Sequence, residues 1–466
     1  MQQNLAINQI PAISQPLFQA ALTAIETLEN AGYQAYLVGG FVRDALLGNP
    51  IHDADLATNA PYLDMLSLFR ESSYEAFPTG EKHGTATVII NGFPLEITKF
   101  RADGEYCDHR HPAQVHFVQT IEQDLARRDF TINAMAFNPR TGIIDPYQGN
   151  LDLAQKRIRC VGCAQTRFKE DALRLLRALR FASQLEFAIE KQTAQAIHKC
   201  AADLSHISQE RIFKELTLFL CGKAPYDLLG EYHDVIFLLI PELQATWNFD
   251  QKTPYHIYTV YDHIAHCVAA INNTPLDRWV AFLHDAGKPA SWAPDETGRG
   301  HFPGHAKVSA AYARAVAKRL KMPRAFTHDL LLLIARHDDV VQETPRAVKR
   351  MIQKLEGRTD LFSHLCAMKR ADTLSQAPCC APRLAMVDNL ERILQEVMAQ
   401  EQAFSLRDLC VSGNDLIAAG YAAGPEFRLA LNAALDAVVD ERIENSAPAI
   451  WRFWEESGIL EQLRKA

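Results

Sequence analysis

The sequence lacks several features that mark particular protein classes. It has no apolar run of about 18 residues, so it has no obvious membrane-spanning helix. Its first residues, MQQNLAINQIPAISQP, contain neither a basic segment nor an apolar one, so we expect no secretory signal. The ten cysteines are scattered, which predicts reduced thiols rather than a disulfide framework. Together these absences predict a cytoplasmic protein without a membrane partner.

At 466 residues the chain is too long for one hydrophobic core, so we expect several domains. The pattern of apolar residues changes along the chain and predicts an α+β fold class in which only the head is mixed. The predicted domains are an α+β head (1–150), a helical neck and body (151–250), a histidine-rich helical domain (251–385) and a helical tail (386–466).

Charge is distributed unevenly along the chain. The formal net charge is −8, which argues against a protein that coats nucleic acid nonspecifically. Residues 151–223 nevertheless contain 13 Lys and Arg against 8 Asp and Glu, whereas the tail (401–466) contains 6 against 11. The basic stretch is either a solvated helix face or the docking surface of a phosphate-bearing partner.

Local patterns predict several elements around these charges. AYLV (35–38) reads as a buried strand that ends at Gly39-Gly40 and is followed by a helix through Leu47. Two alternating runs, 83–92 and 94–100, predict a hairpin within a small sheet. Apolar stripes of helical period predict helices over 168–184, 191–202 and 208–222, the last with Ser208 as its N-cap.

Three carboxylates of the head are candidates for metal binding. Asp53 and Asp55 are one residue apart, so on a strand they would project from the same face with Cα atoms about 7 Å apart. Glu96, in the second strand of the predicted hairpin, would add a third acid. Carboxylates together with substrate phosphates are the ligands that Mg²⁺ prefers, and Arg43 would follow within one helical turn to hold phosphate oxygens.

The segment YLVGGFVRDALLGNPIHDADLATNA (36–60) resembles the signature of class II tRNA nucleotidyltransferases and bacterial poly(A) polymerases. LARRDFTINAMAF (125–137) and IIDPYQGNLDL (143–153) continue the resemblance. The resemblance implies a DNA polymerase β-like nucleotidyltransferase head, and an enzyme that adds CCA to tRNA 3′ ends from CTP and ATP without a template. It also implies catalytic and Mg²⁺-binding roles for the aspartate pair, and nucleotide contacts for Gly40, Arg43 and Arg128.

The stretch that begins at Glu170 carries a candidate base-reading pair. On a helix Asp171 and Arg174 would be neighbours, presenting one hydrogen-bond acceptor and one donor fork. Cytosine and adenine both offer an amino group beside a ring-nitrogen acceptor, whereas guanine and uracil offer a carbonyl in place of that amino group. The pair would therefore select C and A, a role that the resemblance also assigns, with Arg177 and Arg180 near the nucleotide.

The histidine-rich region is similar to the HD superfamily of metal-dependent phosphohydrolases. FLHDAGKP (282–289) carries the adjacent His-Asp pair, and the resemblance implies the ligand set His263, His284, Asp285 and Asp372. His305 and His337 are candidates for further ligands. Such a set suits Mn²⁺, Ni²⁺ or Mg²⁺ better than a structural zinc ion, and an accessory phosphohydrolase activity would follow if the site is catalytic.

Other functions remain open at the level of sequence. A poly(A) polymerase would share the head, but FPTGEKHGTATVII (77–90) resembles the CCA-adding pattern. An enzyme that adds only CC or only A has no distinguishing feature here. A metal phosphohydrolase with an RNA-binding head would have no use for Asp53 and Asp55, and a noncatalytic RNA scaffold would need stacking aromatics or a strongly basic face. The sequence does not indicate the oligomeric state.

Overall fold

The computed structural model of the chain describes residues 15–103, 115–399 and 406–465. These residues form two compact units. The first unit runs to Ala224 and includes Glu231–Leu238, while the second contains Pro225–Gly230 and everything from Leu239 onward. The predicted head thus shares one unit with most of the predicted helical body. The finer division into four domains stays a prediction.

One mixed sheet organises the first unit. Its strand order is β3-β4-β5-β2-β1-β8-β9, so it is larger than the small sheet that the sequence predicts, while β6–β7 and β10–β11 form separate pairs. The strands are β1 (Ala35–Val38), β2 (Asp55–Thr58), β3 (Glu75–Gly80), β4 (Thr85–Ile90), β5 (Phe93–Lys99), β6 (Arg101–Asp103), β7 (Val115–Phe117), β8 (Ala136–Asn138), β9 (Gly142–Ile144), β10 (Arg157–Ile158) and β11 (Ala188–Ile189).

Helices alternate with these strands along the chain and predominate after β9. They are α1 (Pro16–Asn30), α2 (Gly40–Leu47), α3 (Tyr62–Glu71), α4 (Ile121–Ala126), α5 (Gly149–Ala154), α6 (Ala164–Glu170), α7 (Leu173–Leu185), α8 (Lys191–Cys200) and α9 (Gln209–Leu220). Two short helices follow, α10 (Tyr226–Glu231) and α11 (His233–Leu239). A boundary between the two units falls within each of them.

Most of the local predictions for the first unit are confirmed. β1 followed by α2 matches the predicted strand and helix, and the antiparallel pair β4–β5 is the predicted hairpin. Ser208 occupies the N-cap position of α9, although its side chain does not cap the helix. The single helix predicted over 168–184 is wrong, because the chain leaves the helical conformation at Asp171 between α6 and α7.

Helices α12 to α22 and one short strand pair form the second unit. They are α12 (Val260–Ala270), α13 (Pro275–Leu283), α14 (His305–Arg319), α15 (Arg324–Arg336), α16 (Pro345–Lys354), α17 (Thr359–Leu374), α18 (Arg383–Ala399), α19 (Gly413–Ala418), α20 (Glu426–Val439), α21 (Ala447–Glu456) and α22 (Ile459–Lys465), with β12 (Ala293–Pro294) and β13 (Gly300–His301). None of the helices in the described ranges has the length and apolar character needed to cross a bilayer.

Threonine caps fix where the helices of the histidine-rich region begin. The Thr259 side chain accepts a hydrogen bond from the Asp262 N–H at the start of α12. Thr274 does the same for the Asp277 N–H at the start of α13, where Pro275 occupies the first turn. These caps set the positions of His263 on α12 and of His284, the C-cap residue of α13, and both side chains are buried.

Candidate functional site

Three carboxylates meet at the edge of two neighbouring strands in the first unit. β2 and β5 run parallel with Asp55 opposite Glu96, and Asp53 lies two residues before Asp55. Ala54 and Leu56 are 2% and 1% exposed, so the intervening apolar side chains face the core while the acids face a cavity. Alternation along an extended chain thus brings the three predicted acids together.

This cluster concentrates negative charge. Partial burial, reinforced by the charges of Asp53 and Glu96, raises the pKa of Asp55 to about 6, although Arg128 acts in the opposite direction. Carboxylates forced together in this way favour either a proton or a cation among them. All the donors are hard oxygens, which fits Mg²⁺.

A glycine turn presses against Arg128 beside the acids. Gly39 follows β1 with φ +70°, and a Cβ atom there would lie 2.7 Å from Nη1 of Arg128. The backbone conformation therefore favours glycine, and a side chain here would also displace the Arg128 guanidinium. The guanidinium lies 3.4 Å from an Asp124 oxygen and 3.4 Å from the Asn133 carbonyl oxygen. Its buried Nε has no hydrogen-bond partner among the residues that the structure describes.

Three arginines surround one aromatic ring that lines the same cavity as the acids. The guanidinium carbons of Arg43, Arg177 and Arg180 lie 5.0, 5.3 and 4.3 Å from the centroid of Phe181, within the range of cation–π attraction. Each also pairs with a carboxylate at 2.7, 2.7 and 3.3 Å; in the same order the partners are Asp44, Asp129 and Glu215. The ring thus serves as a platform that orients three cations.

Asp171 and Arg174 both line the cavity, and the side chain of each binds another residue. Asp171 is in an extended conformation, and its carboxylate accepts a hydrogen bond from Arg211 at 3.0 Å. Arg174, in the first turn of α7, binds the Glu170 carboxylate and the Arg127 carbonyl oxygen. The expectation that the pair projects from one continuous helix is therefore wrong, because the helix is interrupted between them.

One cavity of about 730 Å³ collects every catalytic and nucleotide-binding residue predicted for the head and for the helical body. The ten are Asp53, Asp55, Glu96, Gly40, Arg43, Arg128, Asp171, Arg174, Arg177 and Arg180. Sequence reasoning did not assign Arg101, Arg127, Arg211, Lys214 or Phe181 to the site, although they also line this cavity. Arg127 stands beside Arg128 in the quoted motif and could have been found, whereas Phe181 has the pattern of an ordinary core residue.

A second cluster lies within the second unit and is centred on Asp285, which is 1% exposed. Four imidazoles direct Nε2 toward its carboxylate. The separations are 3.4 Å for His263, 3.2 Å for His284, 3.3 Å for His305 and 3.7 Å for His337. Asp372 lies 3.0 Å from His263 Nε2, so the four predicted ligands and both further candidates converge.

The backbone fixes how these imidazoles point. Each Nδ1 lies within hydrogen-bond distance of a main-chain carbonyl oxygen, which can only accept, so Nδ1 carries a proton and Nε2 faces inward. The carbonyl partners of His263, His284, His305 and His337 are those of Ser375, Ala281, Phe302 and Ile334, at 3.0, 2.8, 2.9 and 2.7 Å. This is the arrangement in which histidine binds a metal ion through Nε2.

The charge of Asp285 acts on the pKa of the adjacent His284. Burial opposes protonation of His284, but the adjacent Asp285 carboxylate prevails and raises the pKa of His284 to about 9. The same neighbours, together with Lys288 at 2.7 Å, hold the pKa of Asp285 well below its usual range. The cluster thus keeps a carboxylate charged in the interior, where a cation would stabilise it.

Two overlapping donor sets among the described residues could hold a metal ion. In each set the ligand atoms lie within 4.8 Å of one another. The sets are His263, Cys267, His284 and Asp372, and His284, Asp285 and His337. The sequence did not point to Cys267, although it follows His263 by four residues on α12 and so shares its helix face.

Four known families match parts of the chain, and the last two matches overlap. They are described as Poly A polymerase head domain (35–159), probable RNA and SrmB-binding site of polymerase A (186–245), HD domain (255–377) and tRNA nucleotidyltransferase domain 2, putative (341–454). The first covers the acid cluster and its glycine turn, and the third covers the histidine cluster.

Among characterised proteins, the CCA-adding enzyme of Geobacillus kaustophilus is 33% identical over 441 residues, which are 94% of this chain and 96% of that protein. Those of Lactiplantibacillus plantarum and Streptococcus mutans are 47% and 48% identical over 221 and 213 residues. In these two alignments the chain spans about half of the relative, 52% and 51%.

Solved structures extend the likeness to the fold. The Bacillus stearothermophilus CCA-adding enzyme in complex with CTP has a TM-score of 0.70 at 30% identity, covering 96% of this chain and 99% of that one. The Thermotoga maritima enzyme complexed with tRNA has a TM-score of 0.59 at 18% identity, covering 98% of each chain, and shares the fold. With one relative aligned over nearly the whole of both chains, this chain belongs to the family of CCA-adding enzymes and carries an HD domain.

Proposed function

We propose that the chain is a tRNA nucleotidyltransferase that adds C, C and A to tRNA 3′ ends from CTP and ATP without a nucleic-acid template. The observation that carries the proposal is the single cavity in which the acid cluster faces an arginine-lined wall. Support comes from relatives named CCA-adding enzymes, one of which was solved with CTP. We place its action in the cytoplasm, in keeping with the nine described cysteines, all of which are free thiols.

Asp53 and Asp55 would hold Mg²⁺, with Glu96 as the third acid of the cluster. Bound there, Mg²⁺ supplies charge neutralisation to the triphosphate and acidity to the RNA 3′-hydroxyl, as in other two-metal sites. The raised pKa of Asp55 fits this role, because a divalent cation relieves the same repulsion that a proton relieves. The protein's own part is to keep these oxygens in register through the parallel pairing of β2 and β5.

The basic wall would bind and orient the incoming nucleotide. Gly40 begins α2, and its backbone can approach a phosphate closely. Arg128 lies close enough to Asp55 to act on its charge, and Arg43, Arg177 and Arg180 line the same cavity around the Phe181 ring. Their ion pairs with protein carboxylates keep these arginine side chains ordered before the nucleotide binds. This order reduces the entropic cost of nucleotide binding.

Asp171 and Arg174 would read the base. The Asp171 carboxylate accepts from the amino group of C or A, and the Arg174 guanidinium donates to the ring nitrogen. In the structure these two side chains bind Arg211 and Glu170. An incoming base would therefore replace these protein partners with its own hydrogen-bonding edge. A base that presents a carbonyl instead of the amino group would leave buried groups unsatisfied, at about 1–3 kcal/mol each.

The HD domain would bind a divalent cation through His263, His284, Asp285 and Asp372, with Mn²⁺, Ni²⁺ or Mg²⁺ as the ions expected from sequence. The convergence of four Nε2 atoms on one buried carboxylate favours it. A bound ion would polarise water against a phosphoester, which makes an accessory phosphohydrolase activity the second function of the chain.

Stepwise extension tests the main proposal. Transcripts that end before CCA, after C and after CC would each be incubated with single nucleotides, and the products sequenced. We expect CTP to extend the first two substrates and ATP only the third, by one residue. Runs of A would instead indicate a poly(A) polymerase, and failure of either nucleotide would indicate a partial enzyme.

A further inference from the structure

A buried thiol stands among the predicted ligands of the HD domain. Cys267 lies one helical turn after His263 on α12 and is fully buried. Its Sγ atom is 3.5 Å from His263 Nε2, on the inner face of the helix. This proximity comes from the i, i+4 spacing, which places both side chains on one ridge of α12.

The surroundings of the thiol have the dimensions of a tetrahedral metal site. A tetrahedral ion with bonds of about 2.0–2.3 Å holds its ligand atoms about 3.3–3.8 Å apart. The 3.5 Å from Cys267 Sγ to His263 Nε2 lies within this range, and the 3.0 Å from His263 Nε2 to Asp372 Oδ1 is slightly shorter, so the site comes close to tetrahedral spacing. His284 completes the set, with all four ligand atoms within 4.8 Å of one another.

An independent feature also points to a ligand at this place. Nε2 of His284 is fully buried and makes no hydrogen bond within the described part of the chain, although Asp285 lies 3.2 Å away and Nδ1 is fixed on the Ala281 carbonyl oxygen. A buried imidazole nitrogen held toward a cluster of donors costs free energy unless something binds it. A cation shared with Cys267 would satisfy it.

We propose that Cys267 is the fourth ligand of the HD-domain cation, and that the site therefore takes a thiophilic ion such as Zn²⁺ or Co²⁺. The inference rests on the proposed metal binding by this domain and changes the ion expected there. Sulfur favours such ions over Mg²⁺, whereas a site of histidine and carboxylate alone accepts Mn²⁺ or Mg²⁺ more readily. The sulfur-free set built on Asp285 and His337 is the alternative.

Cobalt spectroscopy tests the proposal directly. The full-length protein would be freed of metal with a chelator and titrated with Co²⁺, recording absorbance and bound metal. We expect a sulfur-to-cobalt charge-transfer band in the near ultraviolet, which the all-oxygen cluster of Asp53 and Asp55 cannot give. Cys267→Ser should remove the band and weaken Zn²⁺ binding by at least ~10-fold, the lower end of the loss seen even for outer-shell changes.

Cys366→Ser is the matched control, because Cys366 is also buried but lies outside both donor sets. It should keep the band. A band that survives in Cys267→Ser, or cobalt that binds to the wild type and is lost in His284→Ala without any sulfur band, would overturn the role of Cys267 while leaving metal binding intact. A wild type that binds no more cobalt than His284→Ala would instead overturn the metal site itself.

Discussion

Alanine at Gly39 should impair nucleotide addition by displacing Arg128, and the size of the effect follows from one distance. The new Cβ atom would stand 2.7 Å from Nη1 of Arg128, while ordinary contact begins at 3.4 Å, so the guanidinium must move by about 0.7 Å. A displacement of about 1 Å in a catalytic arrangement costs on the order of 100-fold in rate. We therefore expect kcat/KM for CTP to fall by about 10- to 100-fold.

The same substitution also strains the backbone, and this contribution has to be separated. Gly39 has φ +70° and ψ −130°, a region that is nearly closed to other residues and costs about 1–3 kcal/mol. Gly32→Ala is the matched control, since Gly32 has φ +85° but open space around its Cβ position and lies outside the cavity.

Urea unfolding and initial rates of CTP incorporation would be measured on both variants. Both should lose unfolding free energy, but only Gly39→Ala should lose kcat/KM. Equal rates in the two variants, or a loss in Gly32→Ala as large as in Gly39→Ala, would refute the reasoning.

Three further outcomes are expected from the first unit. Asp53→Ala should abolish nucleotide addition yet leave tRNA binding in a filter assay nearly intact. The control Asp64→Ala, which changes an exposed carboxylate that accepts from a tyrosine hydroxyl, should leave both nucleotide addition and tRNA binding unchanged. Phe181→Leu should raise the KM for both nucleotides, because it removes the ring that orients three guanidinium groups; an unchanged KM would contradict the platform role. The ion pair with Arg177 lowers the pKa of Asp129 to about 2 against the pull of burial, so this carboxylate stabilises the fold above pH ~4 and progressively less as the pH falls toward 2. Asp129→Asn should therefore be less stable than the wild type at neutral pH, with a difference that shrinks in acid; a gap that is independent of pH would rule out this linkage.

The elements that were predicted well from the sequence depend on short-range patterns. β1, α2 and the β4–β5 hairpin follow from alternation and from glycine turns, which act over a few residues. Asp55 and Glu96 meet because β2 and β5 pair in parallel. These segments are about 40 residues apart, and no local pattern encodes such a pairing.

The break at Asp171 shows where helical periodicity misleads. The apolar stripe runs on through 168–184, but the Asp171 side chain accepts from the Leu173 N–H and from Arg211, 40 residues further along. A short polar side chain that competes for backbone donors ends one helix and starts another. Cys267 was missed for a related reason, because a cysteine in an apolar helix has the pattern of core packing until its neighbours in space are known.

The selection of C and A by protein side chains is tested most directly by the ratio of CTP to UTP incorporation rates. Single-turnover incorporation of CTP, ATP, GTP and UTP would be measured for the wild type, for Arg174→Ala and for Arg140→Ala, whose exposed arginine pairs with Glu29 outside the cavity. Losing one base contact of about 1–3 kcal/mol should lower the preference for CTP over UTP by about 10- to 100-fold in Arg174→Ala and leave it unchanged in Arg140→Ala. If all four nucleotides slow by the same factor, Arg174 supports the fold of the cavity and does not read the base.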